Sequence, residues 1–250
     1  MADRDEHVKI YIRFRPGPVF HGSVGVTWPR QLIHFIDFEG SVASGILEYG
    51  VVSLLGNEIV ATTTRTCRPN GRVRPEDIAV HGLDPANLTD CAPFTDEFAR
   101  FAALRATGPL AAHFAQAENS LLKSVWPYSR AAPDFSRETP AMTDAATDWG
   151  PWIDTGRLYP QVRAADAPVK LAALVAAEGL QKDLDALAGV HCPPARHHYH
   201  AALYDALAGA LLLARLGATP GWGDRSLRWL LEHSTLDPAR REALRQEELF

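Results

Sequence analysis

Residues 33–40 read Ile-His-Phe-Ile-Asp-Phe-Glu-Gly, and they decide how the rest of the sequence is interpreted. The apolar run Ile33–Phe38 is short and ends near a glycine, which is typical of a buried strand. Side chains alternate between the two faces of a strand, so Asp37 and Glu39 are predicted to share a face. Both carboxylates can then reach one metal ion. Taken alone, such a pair is more often the solvated end of a strand.

Two more strands are predicted after this one. The segments Ile46–Leu54 and Glu58–Arg65 are rich in Val, Ile and Thr, and Gly56-Asn57 between them predicts a hairpin. Residues 8–15 alternate in polarity and predict a further strand near the start of the chain.

Helices and strands alternate in the remainder of the chain. The segments predicted as strands are Leu110–His113 and Trp152–Thr155, and those predicted as helices are Asp96–Ala106 with Thr95 as its cap, Ala115–Val125, Lys170–Gly189, Tyr199–Leu216 and the tail from Ser226 to Phe250. Residues 128–150 show little periodicity and are predicted to form a long loop. This order favours an α/β layer fold with a mixed sheet.

Composition restricts the functional classes. The chain has 250 residues, of which 46% are hydrophobic, and a net charge of −5. That charge argues against a basic surface gripping long duplex nucleic acid, but not against an enzyme that holds a few nucleotides at a strand end. Neither a membrane span nor a signal segment is recognisable, so we expect a cytoplasmic protein. The cysteines, Cys67, Cys91 and Cys192, are scattered and expected to be reduced.

Two further segments, far from residues 33–40 in the sequence, contain candidate metal-binding or catalytic side chains. A strand passes into a helix between Ala112 and Glu118 and presents a third carboxylate there. The segment His200-Ala-Ala-Leu-Tyr-Asp205 opens a strongly predicted helix. Five residues turn a helix by roughly 500°, so His200 and Asp205 would not share one stripe. The spacing therefore favours a histidine placed just before the helix or in a loosened first turn.

These segments, in this order, resemble the DnaQ-like exonuclease superfamily in its histidine-containing (DEDDh) branch. Asp37-Phe38-Glu39 matches its first motif, residues 113–118 match the middle one in spacing, and His200 to Asp205 matches its closing His-x-x-x-x-Asp. The turn Val80-His81-Gly82-Leu83 resembles the family's Ile-His-Gly-Ile turn between the third strand and the next helix. The segment Ile153-Asp154-Thr155 resembles the Asp-Thr that ends its fifth strand. The resemblance covers about residues 31–216, which leaves residues 1–30 as an N-terminal extension and residues 217–250 as a helical tail. It implies an RNase H-like three-layer fold, a mixed central sheet flanked by helices.

The resemblance also implies a mechanism. Two divalent cations, Mg²⁺ or Mn²⁺, would act on a phosphodiester at the 3′ end of single-stranded nucleic acid, with DNA favoured, and would release nucleoside 5′-monophosphates. The metal ligands would be Asp37, Glu39, Glu118 and Asp205, and His200 would be the general base. Four residues could contact the substrate: Phe38, Gly40, Leu83 and His81. The packing of Phe38 and Leu83 in the core is an equally good interpretation.

Two positions depart from the family pattern. Glu118 stands where the family usually has Asp, and Phe114 replaces its usual Asn. Glutamate is one methylene longer, so it would shift a metal or require the backbone to retreat, and Mg²⁺ tolerates such shifts poorly. The change could lower activity or favour Mn²⁺. It also leaves open an adaptor or binding module with a weakened site.

The sequence is compatible with further functions and sites. An RNA-trimming enzyme of the same fold is one, and a trimming factor for CRISPR prespacers is another. The histidines and cysteine at residues 191–200 suggest a structural zinc site, although their spacing matches no standard zinc motif. The end of the chain resembles peptides that dock on a sliding clamp through Gln246, Leu249 and Phe250, and a frayed helix end is the plainer interpretation.

Overall fold

The apolar run around Ile33–Phe38 forms a central strand of a mixed sheet. The computed structural model describes residues 10–11, 27–135, 137, 142, 148–163, 168–235, 239 and 241–242. The strands are β1 Ile10–Tyr11, β2 Leu32–Ser41, β3 Gly45–Leu55, β4 Glu58–Thr66, β5 Leu110–Ala112 and β6 Trp152–Asp154. They lie in the order β1-β4-β3-β2-β5-β6. The clamp-like residues Gln246, Leu249 and Phe250 lie outside the described residues.

Strand β2 joins the two halves of this sheet. It pairs with β3 in antiparallel register, with Asp37 opposite Gly50 and Glu39 opposite Glu48, and β3 continues into β4 through the predicted hairpin. On its other edge β2 pairs in parallel with β5, and β5 pairs in parallel with β6. The predicted mixed sheet is confirmed.

Helices cover both faces of the sheet. They are α1 Pro75–His81, α2 Phe98–Thr107, α3 Ala115–Val125, α4 Thr155–Val162, α5 Leu171–Ala177, α6 Gln181–His191, α7 Ala202–Gly217 and α8 Leu227–Ser234. On one face, Ile33 and Phe35 pack with α7 and its neighbours, and on the other face Ile36 and Phe38 pack with α2 and α3. The predicted three-layer α/β architecture is therefore confirmed.

The long helix α7 lies unusually close to the sheet. A Cβ atom at Gly209 would stand 2.8 Å from the ring of Phe35 on β2, and a Cβ atom at Gly50 on β3 would stand 2.3 Å from the backbone carbonyl carbon of Ala202. Only glycine permits these two approaches. As a result, the first residues of α7 lie directly against the strands that carry the acidic motif.

Several element boundaries differ from the prediction. The segment Lys170–Gly189 is two helices rather than one, because Gly179 adopts φ 69° and ends the first of them. Thr95 does not cap a helix, because it lies inside a 3₁₀ turn over Phe94–Glu97 that leads into α2. Helix α4 was not predicted. The side chain of Asp154 caps it by accepting a hydrogen bond from the Gly156 amide at 3.0 Å.

Segments on both sides of residues 31–216 pack on the same core. Trp28, in a 3₁₀ turn over Trp28–Arg30, belongs to one hydrophobic cluster with Leu227 and Leu230 of α8. The Trp28 indole nitrogen also donates a hydrogen bond to the Trp222 carbonyl at 2.8 Å. Among the described residues, no helix combines the length and apolar character required to cross a bilayer.

Candidate active site

The C-terminal end of β2 presents two acidic side chains toward α7. Asp37 and Glu39 lie on the face occupied by Ile33 and Phe35, as the alternation of a strand requires. The register with β3 shifts between Glu39 and Gly40. Gly40 has φ 131°, and a Cβ atom there would stand 2.3 Å from the Gly45 carbonyl oxygen. The glycine thus permits the strand to bend immediately after its second carboxylate.

Helix α7 brings His200 and Asp205 to this strand end. His200 lies just before the helix and adopts φ 64°, a left-handed conformation that is uncommon for a side chain other than glycine. Its amide donates a hydrogen bond to Asp205 Oδ2 at 3.1 Å. Ligand atoms of Glu39, His200 and Asp205 all lie within 4.8 Å of one another. The predicted position of the histidine, outside a regular helix, agrees with this geometry.

Helix α3 supplies the next carboxylate. The helix begins after Phe114, which also has φ 64°, and Glu118 lies in its first turn. The Glu118 side chain is buried, and the nearby backbone of Phe38 opposes the rise in its pKa that burial causes. The longer glutamate side chain therefore still reaches β2.

The charges of these groups interact strongly. Burial, followed by repulsion from Glu118, Asp205 and Glu39, raises the pKa of Asp37 well above its ordinary value. Burial and then the negative charge of Glu39 likewise raise the pKa of Glu118. All of the predicted acidic ligands therefore lie close enough to repel one another.

The two acids nearest the imidazole show the same effect. Burial and repulsion from Asp205 and Glu48 raise the pKa of Glu39 to about 8, although Arg196 opposes the shift. Burial raises the pKa of Asp205 to about 7, although the hydrogen bond from the His200 amide opposes it. Without a counter-charge, the cluster would retain protons at neutral pH.

The site has the features that bind a divalent cation. Within the described part of the chain, Glu118 Oε2 and Asp205 Oδ1 are buried and lack any hydrogen-bond partner. Buried polar atoms normally have partners, so each such atom requires an explanation. Carboxylate oxygens are the ligands that hard cations such as Mg²⁺ and Mn²⁺ prefer. Their chemistry, their unsatisfied oxygens and their mutual repulsion all fit a cationic occupant.

Two of the predicted substrate contacts, Phe38 and Leu83, are buried in the protein core. Phe38 is only 6% exposed, and its ring lies 5.5 Å from that of Phe94 and 5.6 Å from that of Phe101. Leu83 packs with Leu47 in a small cluster of its own. Both side chains therefore contribute to the core, and neither is placed to stack on a base. Gly40 lies beside the acids, but its role there is in the backbone bend.

His81 is held by its own turn. It ends α1, and its Nδ1 accepts a hydrogen bond from the Leu83 amide at 3.0 Å. Burial lowers its pKa, which favours the neutral ring. Its carbonyl accepts a hydrogen bond from Arg196, so the turn is tied to the loop that precedes α7.

The suggested zinc site does not form in the described residues. His191 Nδ1 lies 3.2 Å from Thr62 Oγ1, and His197 Nε2 lies 3.0 Å from the Cys192 carbonyl oxygen. Across the part of the chain that the structure describes, Glu39, His200 and Asp205 form the one cluster of potential ligands. In the described residues, His191 and His197 therefore contact Thr62 and Cys192 and do not join a cluster of ligands.

Sequence reasoning missed three residues around the site. Glu48 on β3 lies opposite Glu39, Arg196 forms an ion pair with Glu48, and Gly50 makes room for the start of α7. The continuous apolar character of β3 could have marked Glu48, because a charge is unusual in a strand otherwise made of Gly, Ile, Leu, Tyr, Val and Ser. No local signal links it to Arg196, which is 148 positions away.

Comparison with known proteins bears on the fold. No family model matches the chain, and no curated protein sequence matches it. Solved structures do. Exonuclease X in complex with 5′ overhanging duplex DNA is 24% identical, with a TM-score of 0.57, over 80% of this chain and 99% of its own. The nuclease domain of 3′hExo, a DEDDh family member bound to rAMP, is 16% identical, with a TM-score of 0.51. The match covers 80% of this chain and 98% of that domain's chain.

Exonuclease I of E. coli in complex with a dT13 oligonucleotide also matches. It is 12% identical, with a TM-score of 0.54, over 74% of this chain and 41% of its own. At these identities the likenesses show the fold, and they agree with the architecture predicted from the sequence.

Proposed function

We propose that this chain, which has the RNase H-like fold of the DnaQ-like exonucleases, is a metal-dependent 3′–5′ exonuclease. The observation that carries the proposal is the convergence of four mutually repelling acids, Asp37, Glu39, Glu118 and Asp205, of which Glu39 and Asp205 lie in one cluster with the His200 imidazole. These residues come from one strand and two helices that are far apart in sequence. Electrostatic coupling among all four acids supports their action as a single site.

In this proposal the four carboxylates bind two divalent cations. Bound cations supply a more acidic water molecule and stabilise charge on the phosphate and on the departing 3′ oxygen. Asp37, whose charge interacts with those of Glu118, Asp205 and Glu39, would hold the cations together with these three carboxylates. The unsatisfied oxygens of Glu118 and Asp205 support this assignment.

His200 removes the proton from the attacking water. An imidazole is suited to this task because it exchanges protons near neutral pH. The histidine lies within the same 4.8 Å cluster as Glu39 and Asp205, so its ring borders the ions rather than the core. The Asp205 carboxylate accepts the His200 amide, which fixes the backbone from which the ring projects.

The proposed substrate is the free 3′ end of single-stranded DNA, and the products are nucleoside 5′-monophosphates. The negative net charge supports a short grip on a strand end rather than a long basic track. Exonuclease X and exonuclease I, two of the structural neighbours, are seen with DNA. An RNA-trimming enzyme is the second candidate, favoured by the nuclease domain of 3′hExo bound to rAMP.

The test is degradation of matched DNA and RNA single strands carrying a 5′ label, with Mg²⁺, Mn²⁺ or EDTA. We expect a ladder that shortens from the 3′ end with either metal and no product with EDTA. Asp37→Ala and His200→Ala should abolish or greatly slow it. A wild-type protein that leaves every 3′ end intact would refute the enzyme and favour the adaptor.

Glu118 offers a sharper test of metal use. Shortening it to Asp moves the carboxylate back by one methylene, to the length that the family usually has. If Glu118 displaces one ion from ideal octahedral geometry, Glu118→Asp should raise the rate with Mg²⁺ more than the rate with Mn²⁺. Equal effects on both metals would show that the longer side chain does not determine metal preference.

A further inference from the structure

Glu48 is a fifth acidic residue beside the proposed site, and its environment differs from that of the other four. It lies on β3 directly opposite Glu39 and is 3% exposed. Its negative charge raises the pKa values of Glu39 and Asp205. Both of its oxygens have hydrogen-bond partners, unlike those of Glu118 and Asp205.

Arg196 is the main partner of this acid. Its Nε and Nη2 donate to the two oxygens of Glu48 at 3.1 and 2.5 Å, a two-pronged contact that fixes the plane of both groups. The same guanidinium donates to the His81 carbonyl at 2.6 Å and to the His200 carbonyl at 3.1 Å. One partly buried side chain thus connects β3, the end of α1 and the residue proposed as general base.

The ion pair also determines where α7 begins. Glu48 Oε2 accepts the amide of Ala202 at 3.0 Å, which satisfies one of the free N–H groups at the start of that helix. His200 is therefore held on three sides: its amide by Asp205, its carbonyl by Arg196, and the residue two positions later by Glu48. Such restraint is needed because the left-handed conformation is unfavourable for residues other than glycine.

We infer that Glu48 and Arg196 form a positioning pair for the site, a role that rests on the proposed function. Arg196 holds the His200 backbone in its left-handed conformation, so that the imidazole faces the carboxylates. It also occupies both oxygens of Glu48 and thereby keeps this acid from becoming an additional metal ligand. Glu48 in turn anchors the start of α7, and hence Asp205.

The experiment compares Arg196→Gln with Arg163→Gln. Arg163 makes a similar two-pronged ion pair with Glu178, at 2.7 and 2.9 Å, between α4 and α5 and away from the acidic cluster. For Arg196→Gln we expect kcat to fall about 10- to 100-fold with KM nearly unchanged, because orientation of the base is lost and not substrate affinity. The control should retain wild-type kcat. Equal loss in both variants would overturn the inference.

The variant Arg196→Lys distinguishes a positioning role of Arg196 from an effect of its positive charge alone. Lysine keeps the positive charge beside Glu48 but cannot reproduce the planar fork that reaches the carboxylate and two carbonyls together. We expect kcat to stay at least about fivefold below the wild-type value. Full recovery would show that Arg196 acts through charge alone, and the positioning role would then be wrong.

Crystal structures of the variants and Mn²⁺ titration by calorimetry provide readouts other than activity. In Arg196→Gln the segment from His197 to Ala202 should shift, and Glu48→Gln should lower Mn²⁺ affinity far less than Asp205→Asn does, since Glu48 is not a ligand. An unmoved segment, or a large loss of Mn²⁺ affinity in Glu48→Gln, would each overturn the inference. A wild-type protein without nuclease activity would refute the proposed function, while a moved segment would still establish the anchoring contacts.

Discussion

Helices α3 and α7 both approach the acidic cluster shortly after a left-handed residue, but the two residues carry different side chains. Each is preceded by a residue with φ 64°, Phe114 for α3 and His200 for α7. Each begins with a free N–H group that is accepted by a buried carboxylate from a neighbouring strand. Asp154 accepts a hydrogen bond from the Ala115 amide at 3.1 Å, and Glu48 accepts one from the Ala202 amide at 3.0 Å.

The two starts differ in what the left-handed residue presents. Phe114 is 41% exposed, and its ring lies against Gly156. His200 instead directs an imidazole into the ligand cluster. A left-handed residue thus accompanies two different arrangements: at α3 the helix carries Glu118 alone, whereas at α7 it carries Asp205 beside His200, the proposed base. We therefore expect substitutions at α7 to affect the chemistry and those at the α3 turn to affect mainly packing.

The largest effects should come from the acids that the helices deliver. We expect Asp205→Asn and Glu118→Gln each to reduce nuclease activity by about 10³-fold, because each removes a charged ligand. The same variants should unfold at higher temperature than the wild type in EDTA, because buried repulsion is relieved. Single-turnover assays and thermal denaturation measure the two effects. Loss of stability together with activity would indicate a structural role instead.

The same substitution at the two left-handed positions tests the comparison directly. Asparagine tolerates this conformation, so both turns should persist. His200→Asn should lower kcat by about 10²-fold because the base is lost, whereas Phe114→Asn should stay within about threefold of the wild type. Initial rates on a labelled single strand give both values. An equal loss at Phe114 would show that its exposed ring contacts the substrate.

Much of this site could be predicted, because its residues lie in segments with strong local signals. The alternation of β2 placed Asp37 and Glu39 on one face, and the limits predicted for the helix that carries Glu118, Ala115–Val125, are those observed. The spacing from His200 to Asp205 favoured a histidine placed just before the helix or in a loosened first turn. Local pattern and the ordered motifs together determined the fold and the set of acids.

The remainder depends on contacts that sequence patterns do not encode. The break at Gly179 was missed because a single glycine is tolerated in many helices. Glu48 and Arg196 meet only once β3 and the loop before α7 are packed together, across 148 positions. Likewise, Phe38 looked available for stacking on a base until the rings of Phe94 and Phe101 enclosed it. Tertiary packing, rather than propensity, decided each of these cases.

Gly50 faces the start of α7, and Gly156 faces the residue before α3. Replacing each of them by alanine should give a smaller difference between the two helix starts, this time in stability. A Cβ atom at Gly50 would stand 2.3 Å from the backbone of Ala202, whereas one at Gly156 would stand 2.7 Å from the movable ring of Phe114. Gly50→Ala should therefore destabilise the protein by about 1–3 kcal/mol, displace α7 and reduce kcat, while Gly156→Ala should cost less. Urea denaturation measures the difference.

Gly189→Ala is the control for these glycine variants. The position lies in α6, and among the described residues no atom outside the adjacent turns of that helix lies within 4 Å of the place that the alanine methyl group would occupy. Alanine should therefore stabilise the helix by about 0.5–1 kcal/mol. If Gly50→Ala proved as harmless as this control, close contact between β3 and α7 could not be what places Asp205 beside Glu39.

The smallest expected effect is that of pH on thermal stability. It arises from Glu39 and Asp205, the two acids nearest His200 at the start of α7. Folding raises the pKa of Glu39 from 4.5 to about 8 and that of Asp205 from 3.8 to about 7. A raised pKa means that the folded state retains protons that the unfolded state has released. The resulting stabilisation is complete below about pH 4 and is lost as pH rises through the folded values. In EDTA, Tm should fall by on the order of 5 °C between pH 5 and pH 8.

Divalent cations should reverse this trend, because they bind the deprotonated carboxylates and replace the missing counter-charge. Mn²⁺ should therefore raise Tm more at pH 8 than at pH 5. The double variant Glu39→Gln, Asp205→Asn should flatten the pH dependence in EDTA, because neither side chain can then ionise. A wild-type Tm that stays level across this range in EDTA would mean that the two acids are not held in the repulsive cluster from which the whole site is inferred.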